Sequence, residues 1–503
     1  MNPAGRSEAG RAPDGGPVAV VDLGSNSVRL VVYDALSRAP VSRFNEKKLC
    51  ALGRVVAETG RLGSEGSSCA MASLRRFVGI ARSMGCGTVD IIATAAVRAA
   101  EDGDEFAAMA QAALGEPVTV LSGPEEARLG ALGVACGFAA PDGLSGDLGG
   151  GSVEFANVPN PEDGARVSLP VGALTLSAAM SADRKAATRM VDTALEAQPW
   201  LRDACRGRTF YVVGGSWRAL ARARMAMLDT PLRAVHGYQL TPREAETLGR
   251  SIAGRTPADL AAIPGVPKRR VEMMPAAALL LERVTRLLRP ARVVFSATGL
   301  REGRLYERLP AAERAVDPLI AGAAELGGAT NRLPGVGEAM QRWTDGIVAN
   351  ETPALRRLRH AACLLSDSAW REHPDSRARE AFFRLAQYPF LGMTQAERVL
   401  LAFMIFVRYQ GRRKDPAVRR LLTMLDEPAK LAGEVVGEAL DLGYRLSGGV
   451  PAILDACRLR RDGGELLLET GHPAVDPQDD ALGGRLRLLG AAIGAERVRA
   501  VGV

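Results

Sequence analysis

At 503 residues the chain is too long for one hydrophobic core and is expected to form two to four domains. Its make-up of 47% apolar and 24% charged residues is that of a folded globular protein, which excludes extensive disorder. The surplus of 64 Lys and Arg over 57 Asp and Glu, a net charge of +7, favours polyanionic partners and equally serves solubility.

Residues 1–16, MNPAGRSEAGRAPDGG, contain no apolar segment of the kind a signal peptide needs and read as a disordered tail. No apolar run reaches the roughly 18 to 20 residues that span a bilayer, so neither secretion nor a membrane is expected, and the expected location is cytoplasmic. From 17 to 140 strands (PVAVVDLG, VRLVVYD, VDIIATAAV) alternate with an amphipathic helix, DEFAAMAQAALG. A second α/β unit runs from 141 to 310, through LSGDLGGGSVEFANV, TFYVVGGSWRALARARMA and ARVVFSATGLREGRLYERL. From 311 to 503 helices dominate, interrupted by CRLRRDGGELLLETG, where Asp462-Gly463-Gly464 marks a hairpin. The seven cysteines are scattered, odd in number and free of any C-x-x-C pair, which predicts reduced, buried thiols rather than disulfides or a zinc-thiolate site.

The two α/β units share one feature. In VVDLGSNSVRL (20–30) and SGDLGGGSVEF (145–155) a strand ends in an acid, Asp22 or Asp147, and a Gly-rich turn leads into another strand. Glycine admits positive φ and close ligand approach, and successive turn N–H groups form a nest suited to phosphate oxygens. Gly24, Ser25, Asn26 and Ser27 in the first turn, and Gly149, Gly150, Gly151 and Ser152 in the second, are the candidate phosphate ligands. An acid just before such a turn would repel phosphate unless a divalent cation intervenes, which implies Mg²⁺. Either turn alone is equally a tight hairpin; the pair, one per unit, points to a duplicated phosphate clamp. Neither a Walker A loop nor a dinucleotide-binding fingerprint is present.

In VLSGPEEARLG (120–130), Ser122 and Glu125 have capping-box spacing with Pro124 in the first turn. Glu126 points about 100° away around the helix and is free to face a cleft, where a carboxylate can activate water for phosphoryl transfer. Its ordinary alternative is an acid near a helix N-terminus. Glu154 and Asp147 could both reach a metal across the second turn. Arg98, just past a strand, is a candidate phosphate contact, and Gly214, Gly215 and Ser216 follow another strand. Thr298, Gly299, Arg301 and Glu302 form a weaker signal in SATGLREGRLYE.

Taken in order, VDLGSNSVRLVVYD, ATAAVR, LSGPEEARLGALGV, GDLGGGSVEF, VVGGSWRALA and SATGLREGRLYE resemble the exopolyphosphatase/guanosine pentaphosphate phosphatase (Ppx/GppA) family over roughly residues 17 to 310. The resemblance implies an α/β fold of two ribonuclease H-like lobes, of the actin-like and sugar-kinase superfamily, plus a mainly helical, HD-like C-terminal domain. It implies Glu126 as the catalytic glutamate, Asp147 and Glu154 as the metal-linked and phosphate-linked acids, and residues 24–27 and 149–152 as phosphate loops; with Asp22, the acid before the first turn, these are the candidate ligands of Mg²⁺ or another divalent cation such as Mn²⁺. It also implies a homodimer.

An HD-type metal site needs a His-Asp pair, and the chain has four histidines (236, 360, 373, 472) and no His-Asp dipeptide. The C-terminal domain is therefore expected to lack that site and to offer basic residues, Arg408, Arg412, Arg413 and Lys414 in VRYQGRRKD, as a polyphosphate track or simply as a solvated loop. The expected activity is removal of terminal orthophosphate from inorganic polyphosphate. The alternatives are 5′-phosphohydrolysis of guanosine pentaphosphate, with the tetraphosphate as a further partner, and binding of polyphosphate or nucleotide without hydrolysis. DNA is not an expected partner.

Overall fold

The computed structural model describes residues 15–162 and 164–502; most of the expected N-terminal tail, residues 1–14, lies outside them. The chain divides into two compact units at Pro318–Leu319.

Unit 1 contains two sheets. The first has the order β3-β2-β1-β4-β5, with β1 Val18–Leu23, β2 Ser27–Tyr33, β3 Ser42–Leu49, β4 Val89–Ala93 and β5 Val118–Val120. The second has the order β10-β11-β9-β6-β7-β8, with β6 Gly143–Leu148, β7 Val153–Asn157, β8 Arg166–Leu169, β9 Thr209–Val213, β10 Tyr238–Leu240 and β11 Arg292–Phe295. Each begins with an antiparallel meander of three strands, β1-β2-β3 or β6-β7-β8, whose first strand is then joined by a parallel partner, β4 or β9. A further parallel strand follows, β5 or β11, and β10 adds an antiparallel edge to the second sheet. The same topology twice is the ribonuclease H-like duplication.

Each sheet is covered by its own apolar core. Val21, Leu23, Leu30, Phe77 and Ile91 anchor the first. Leu144, Phe155, Phe210, Trp217 and Phe295 anchor the second, where the buried indole N–H of Trp217 donates to the Ala277 carbonyl at 2.8 Å. β1 and β6 are each flanked by an antiparallel and a parallel neighbour, and in open α/β sheets ligands gather beyond the C-terminal strand ends where connections diverge. Asp22 and Asp147 lie at those ends.

Three expectations are corrected here. The strand read through VDIIATAAV stops at Ala93, and Ala95–Ala99 is helical, as its alanines favour once the strand leaves its neighbours. Cys50 and Cys69 form a disulfide, because the segment after β3 runs back along the helix Ser64–Ser83 and brings the two Cα atoms to 5.6 Å. The other five cysteines are free and buried. The third concerns unit 2, which holds one strand more than expected.

Unit 2 packs the helices Pro353–Leu365, Arg377–Gln387, Gln395–Arg408 and Glu427–Ser447 around Phe382, Phe403 and Phe406. The Gln395–Arg408 helix is apolar nearly all round and central for that reason. The expected hairpin forms, β12 Cys457–Asp462 with β13 Glu465–Thr470, and its turn glycines Gly463 and Gly464 have φ of 49° and 86°, as a primed turn requires. A third strand, β14 Arg497–Gly502, runs parallel to β13 after the crossover helix Asp480–Ile493. Its RVRAVG stretch is half exposed at the sheet edge, so its apolar signal is weak.

Candidate active site

The two Gly-rich turns are built alike. The Gly24 N–H donates to the Ser27 carbonyl at 3.1 Å, and the Gly149 N–H to the Ser152 carbonyl at 3.0 Å. In the first pair of strands Asp22 stands opposite Arg29; in the second, Asp147 stands opposite Glu154. Opposite residues of an antiparallel pair share a face, so the duplication places an acid and a base at one turn and two acids at the other.

Each turn is backed by chain that takes its carbonyls. Ser25 and Asn26 carbonyls accept from Gly53, Cys50 and Ala51. Gly149, Gly150 and Gly151 carbonyls accept from Ala173, Leu174 and Gly172, at the start of the helix Ala173–Ala182. With those carbonyls engaged, the second turn has N–H groups left to offer an anion.

Glu126 enters on the helix Gly123–Gly137. Ser122 caps it, accepting from the Glu125 N–H at 3.3 Å. The reciprocal half of the expected capping box is not made, because Arg128, one turn on, holds the Glu125 carboxylate at 2.6 Å. Gly123 lies against Ser168 of β8, so closely that a Cβ would meet the Ser168 Cβ at 2.6 Å. Ser168 donates in turn to Glu154 at 2.8 Å. This contact sets the helix start beside the Asp147–Glu154 pair. Arg98 Nη1 donates to the Glu126 carboxylate at 3.1 Å and to the Leu121 carbonyl at 2.6 Å.

The acids are strained electrostatically. Burial pushes the Glu126 carboxyl well above the ordinary range, reinforced by Glu154 and opposed by Arg98. Burial likewise raises Asp147 to about 6 and Glu154 to about 7, the latter against hydrogen bonds from Ser152 and Ser168. Asp22 is raised by burial, with Arg301 at 3.5 Å pulling the other way.

These groups line one cleft with a cavity of about 170 Å³, which also takes in Gly24 to Ser27, Gly149, Gly150 and Ser152. Gly214 and Gly215 line it too; Ser216 is 1% exposed and is not part of the wall. Gly151 and Arg98 face an adjoining cavity of about 790 Å³ that shares Ser25, Ala95 and Ser152 with the cleft. That neighbour presents mostly apolar surface, from Val56, Ala57, Leu174, Ala178 and Met273 among others, mixed with polar side chains such as Arg54, Glu58 and Glu272, and none of its lining residues is aromatic.

Sequence reasoning missed the cleft's cations. Arg29, Lys47, Arg218 and Arg270 line it together with Arg301. Burial lowers Lys47 to about 7, helped by Arg270, Arg269 and Arg29, and lowers Arg29 and Arg218 to about 10 each, helped by Arg301. Gly215 carries no side chain where the Arg270 guanidinium lies, 2.5 Å from where its Cβ would be. The run PKRR at 267–270 was the one sequence signal; the rest are single residues on separate elements.

Arg301 and Glu302 stand on the helix Leu300–Arg308. Burial pushes Glu302 up, but Arg301, a 2.5 Å hydrogen bond from Tyr33 and the Gly299 N–H at 2.9 Å outweigh it and hold the carboxyl below its usual range. Glu302 therefore braces Arg301. Thr298 is buried and bonded to Ser296.

The basic stretch of unit 2 is buried at Arg408 and exposed from Arg412 to Lys414, and three of its four cations have acidic partners. Arg408 is buried against Asp441 at 3.5 Å, Arg412 pairs with Glu438 at 2.7 Å, and Arg413 with Glu427 at 3.2 Å. Lys414 is exposed. In the LRHAACLLSDSAW segment the buried Asp367 is held by Arg332 through two bonds of 2.8 and 2.9 Å.

Residues 15–312 match the model of the Ppx/GppA phosphatase family, and residues 319–499 match that of the exopolyphosphatase C-terminal domain. The chain belongs to the Ppx/GppA phosphatase family. It is 30% identical over 305 residues to Exopolyphosphatase 1 of Mycobacterium tuberculosis strain H37Rv, covering 58% of this chain and 87% of that protein. It is 28% identical over 302 residues to Exopolyphosphatase 1 of Mycobacterium leprae, covering 58% and 88%. Among solved structures, an exopolyphosphatase from Cytophaga hutchinsonii matches with a TM-score of 0.52 at 24% identity, over 58% of this chain and 96% of that one. The Aquifex aeolicus family member matches with a TM-score of 0.51 at 23% identity, over 58% and 97%. At that identity the likeness is one of fold.

Proposed function

We propose that unit 1 is an exopolyphosphatase, hydrolysing the terminal phosphoanhydride of inorganic polyphosphate to orthophosphate and a chain shorter by one unit. The observation that carries this reading is the division of one cleft into a desolvated carboxylate group, two amide turns and a bank of cations. The turn amides and the free N–H groups of Arg98 hold the terminal phosphate. Glu126, fixed by Arg98, takes a proton from water as its oxygen attacks phosphorus and the bridging P–O bond breaks. Arg29, Lys47, Arg218 and Arg270 hold the following phosphates, which suits a polymer over a compact monoester.

The acids fit a divalent cation. Asp147 and Glu154 face each other on paired strands, offer hard oxygen donors and repel each other. Among the described residues no group of three His, Cys, Asp or Glu is arranged to cage an ion alone, which suits Mg²⁺ or Mn²⁺ held by one or two carboxylates plus substrate phosphates. When bound, the ion neutralises charge on the phosphoryl oxygens. By the family resemblance we also propose a homodimer; sedimentation showing only monomer at micromolar concentration would remove that part.

A second reading, hydrolysis of guanosine pentaphosphate, draws on the apolar cavity of about 790 Å³ beside the cleft, which has room for a nucleoside. Orthophosphate release with Mg²⁺ at equal concentrations of phosphate ends decides between them. Faster release from long polyphosphate is the expected result, and faster release from the nucleotide would replace this reading with the second. No release from either substrate would overturn both.

Lys47 predicts the pH dependence. With its free-cleft value near 7, it is charged below pH 7 and neutral above. A bound polyanion favours the charged form, so binding takes up a proton above pH 7 and weakens by up to about tenfold per pH unit there. KM for polyphosphate is expected to climb between pH 7 and 8.5, and in Lys47→Met to start higher and lose most of that climb. An equal climb in both proteins would assign the titration to another group.

A further inference from the structure

The catalytic cleft meets the adjoining cavity of about 790 Å³ at Ser25, Ala95 and Ser152, beside the two turns that take the terminal phosphate. The two sides of that boundary differ. Arg29, Lys47, Arg218, Arg270 and Arg301 line the cleft, and none of them lines the second cavity. Arg98 and Ser168, which bond the Glu126 and Glu154 carboxylates, line the second cavity and not the cleft. Glu126 therefore stands at the mouth between the two, with the cations to one side of it and the second cavity to the other.

In-line displacement at phosphorus sets the attacking oxygen opposite the leaving one. A chain whose following phosphates lie along the cations departs toward them, so the attacking oxygen comes from the other side, where the second cavity opens. A water molecule takes up only about 30 Å³ of that space. Much of the remaining wall is apolar, from Val56, Ala57, Leu174, Ala178 and Met273. Two of its hydroxyls, Thr175 and Ser177, are turned to the backbone and donate to the Gly151 and Glu272 carbonyls at 3.2 Å each. Such a wall favours a short hydrocarbon chain over water, and a hydroxyl at the end of that chain can reach Glu126.

We propose that this cavity is an acceptor site and that unit 1 is also a phosphotransferase, passing the terminal phosphoryl group of polyphosphate to a primary aliphatic alcohol. Glu126 takes the hydroxyl proton as the alcohol oxygen attacks the terminal phosphorus. The bridging P–O bond breaks, and its electron pair goes to the chain, now one unit shorter. The products are a phosphomonoester and that chain, and Glu126 passes its proton to solvent, so no reactant beyond donor and acceptor is needed. The proposal rests on the polyphosphate reading of the cleft, because a nucleoside seated in this cavity would reverse its two sides.

The test is to incubate the full chain with Mg²⁺ and long polyphosphate, alone and with n-butanol or methanol, and to resolve phosphomonoester from orthophosphate by phosphorus NMR. With n-butanol the ratio of ester to orthophosphate is expected to exceed the molar ratio of alcohol to water by about tenfold or more. Methanol, which gains little from an apolar wall, is expected to stay within about threefold of its own ratio. Ala57→Trp and Ala178→Phe, made singly, add bulk to the cavity from exposed positions on the helices Leu52–Thr59 and Ala173–Ala182. At least one of them is expected to cut butyl phosphate about tenfold while orthophosphate release without alcohol stays within about twofold of wild type. Glu126→Gln is expected to lose ester and orthophosphate together. Butyl phosphate at or below the alcohol-to-water ratio, undiminished in both filled variants, or persisting in Glu126→Gln overturns the acceptor site, with hydrolysis still shown by the orthophosphate released. No orthophosphate from polyphosphate without alcohol overturns the reading of the cleft and this inference with it.

Discussion

Glu126→Gln is expected to lower orthophosphate release from polyphosphate on the order of 10³-fold, with KM little changed. Glutamine keeps the shape of the side chain and can still accept the Arg98 hydrogen bond, now 3.1 Å to the carboxylate, so the geometry of the helix start survives. What it cannot do is take the water's proton. The same change makes a separate prediction about stability. In the metal-free protein burial and Glu154 raise the Glu126 carboxyl, so the folded state holds its proton more tightly than the unfolded state does. For an acid with a raised folded value, stability is fully present below the unfolded value, near 4.5, and is lost as pH rises toward the folded one. The glutamine variant escapes that loss. Its thermal midpoint, measured without divalent cations, should match wild type near pH 4.5 and exceed it progressively toward pH 8. Near-normal turnover in a folded Glu126→Gln protein would remove Glu126 from the reaction, whereas lost turnover with a lowered midpoint at every pH would reduce its role to structure.

Much of this site was legible because it is local. Asp22 with Gly24 and Ser27, and Asp147 with Gly149 and Ser152, each lie within six residues, and strand register carries them to one face. Glu126 was legible for the same reason, its cap and its helix phase both being set by adjacent residues. The cations were not. Arg29, Lys47, Arg218 and Arg270 come from two strands, a helix and a 3₁₀ turn, and only the packing of two lobes brings them to one cleft. The basic stretch at 408–414 was legible only in its charge: its acidic partners, Glu427, Glu438 and Asp441, lie 14 to 33 residues away on the next long helix. The Cys50–Cys69 pair was hidden likewise, since nothing in a spacing of 19 residues tells that the chain doubles back.

Gly133→Ala is expected to destabilise unit 1 by about 3 kcal/mol or more and to depress turnover with it. The helix that carries Glu126, Gly123–Gly137, crosses the helix that carries Arg301, Leu300–Arg308, with no side chain between them at two points. A Cβ on Gly133 would overlap the Gly299 carbonyl, and a Cβ on Gly303 would overlap the Leu129 carbonyl. Both obstacles are backbone, so neither yields by a rotamer change. An alanine at 133 can be housed only by moving the second helix away. That movement pulls Arg301 from Asp22 and Glu302 from Tyr33, leaving buried charges without partners. At the size of unit 1, which ends at Pro318, a loss of about 3 kcal/mol lowers the thermal midpoint by roughly 5 °C. Gly130→Ala is the control, on the same helix and closer to the acids. Its Cβ would lie 3.7 Å from the Asp147 Cβ, an ordinary contact, and alanine favours the helix over glycine by about 1 kcal/mol. That variant should melt at or slightly above wild type with turnover near normal. If both variants melted together, the crossing would be a loose one and the link between the Glu126 helix and Arg301 would have to come from elsewhere in the lobe contact; a gap of several degrees, with activity following the same order, would place it at these two glycines.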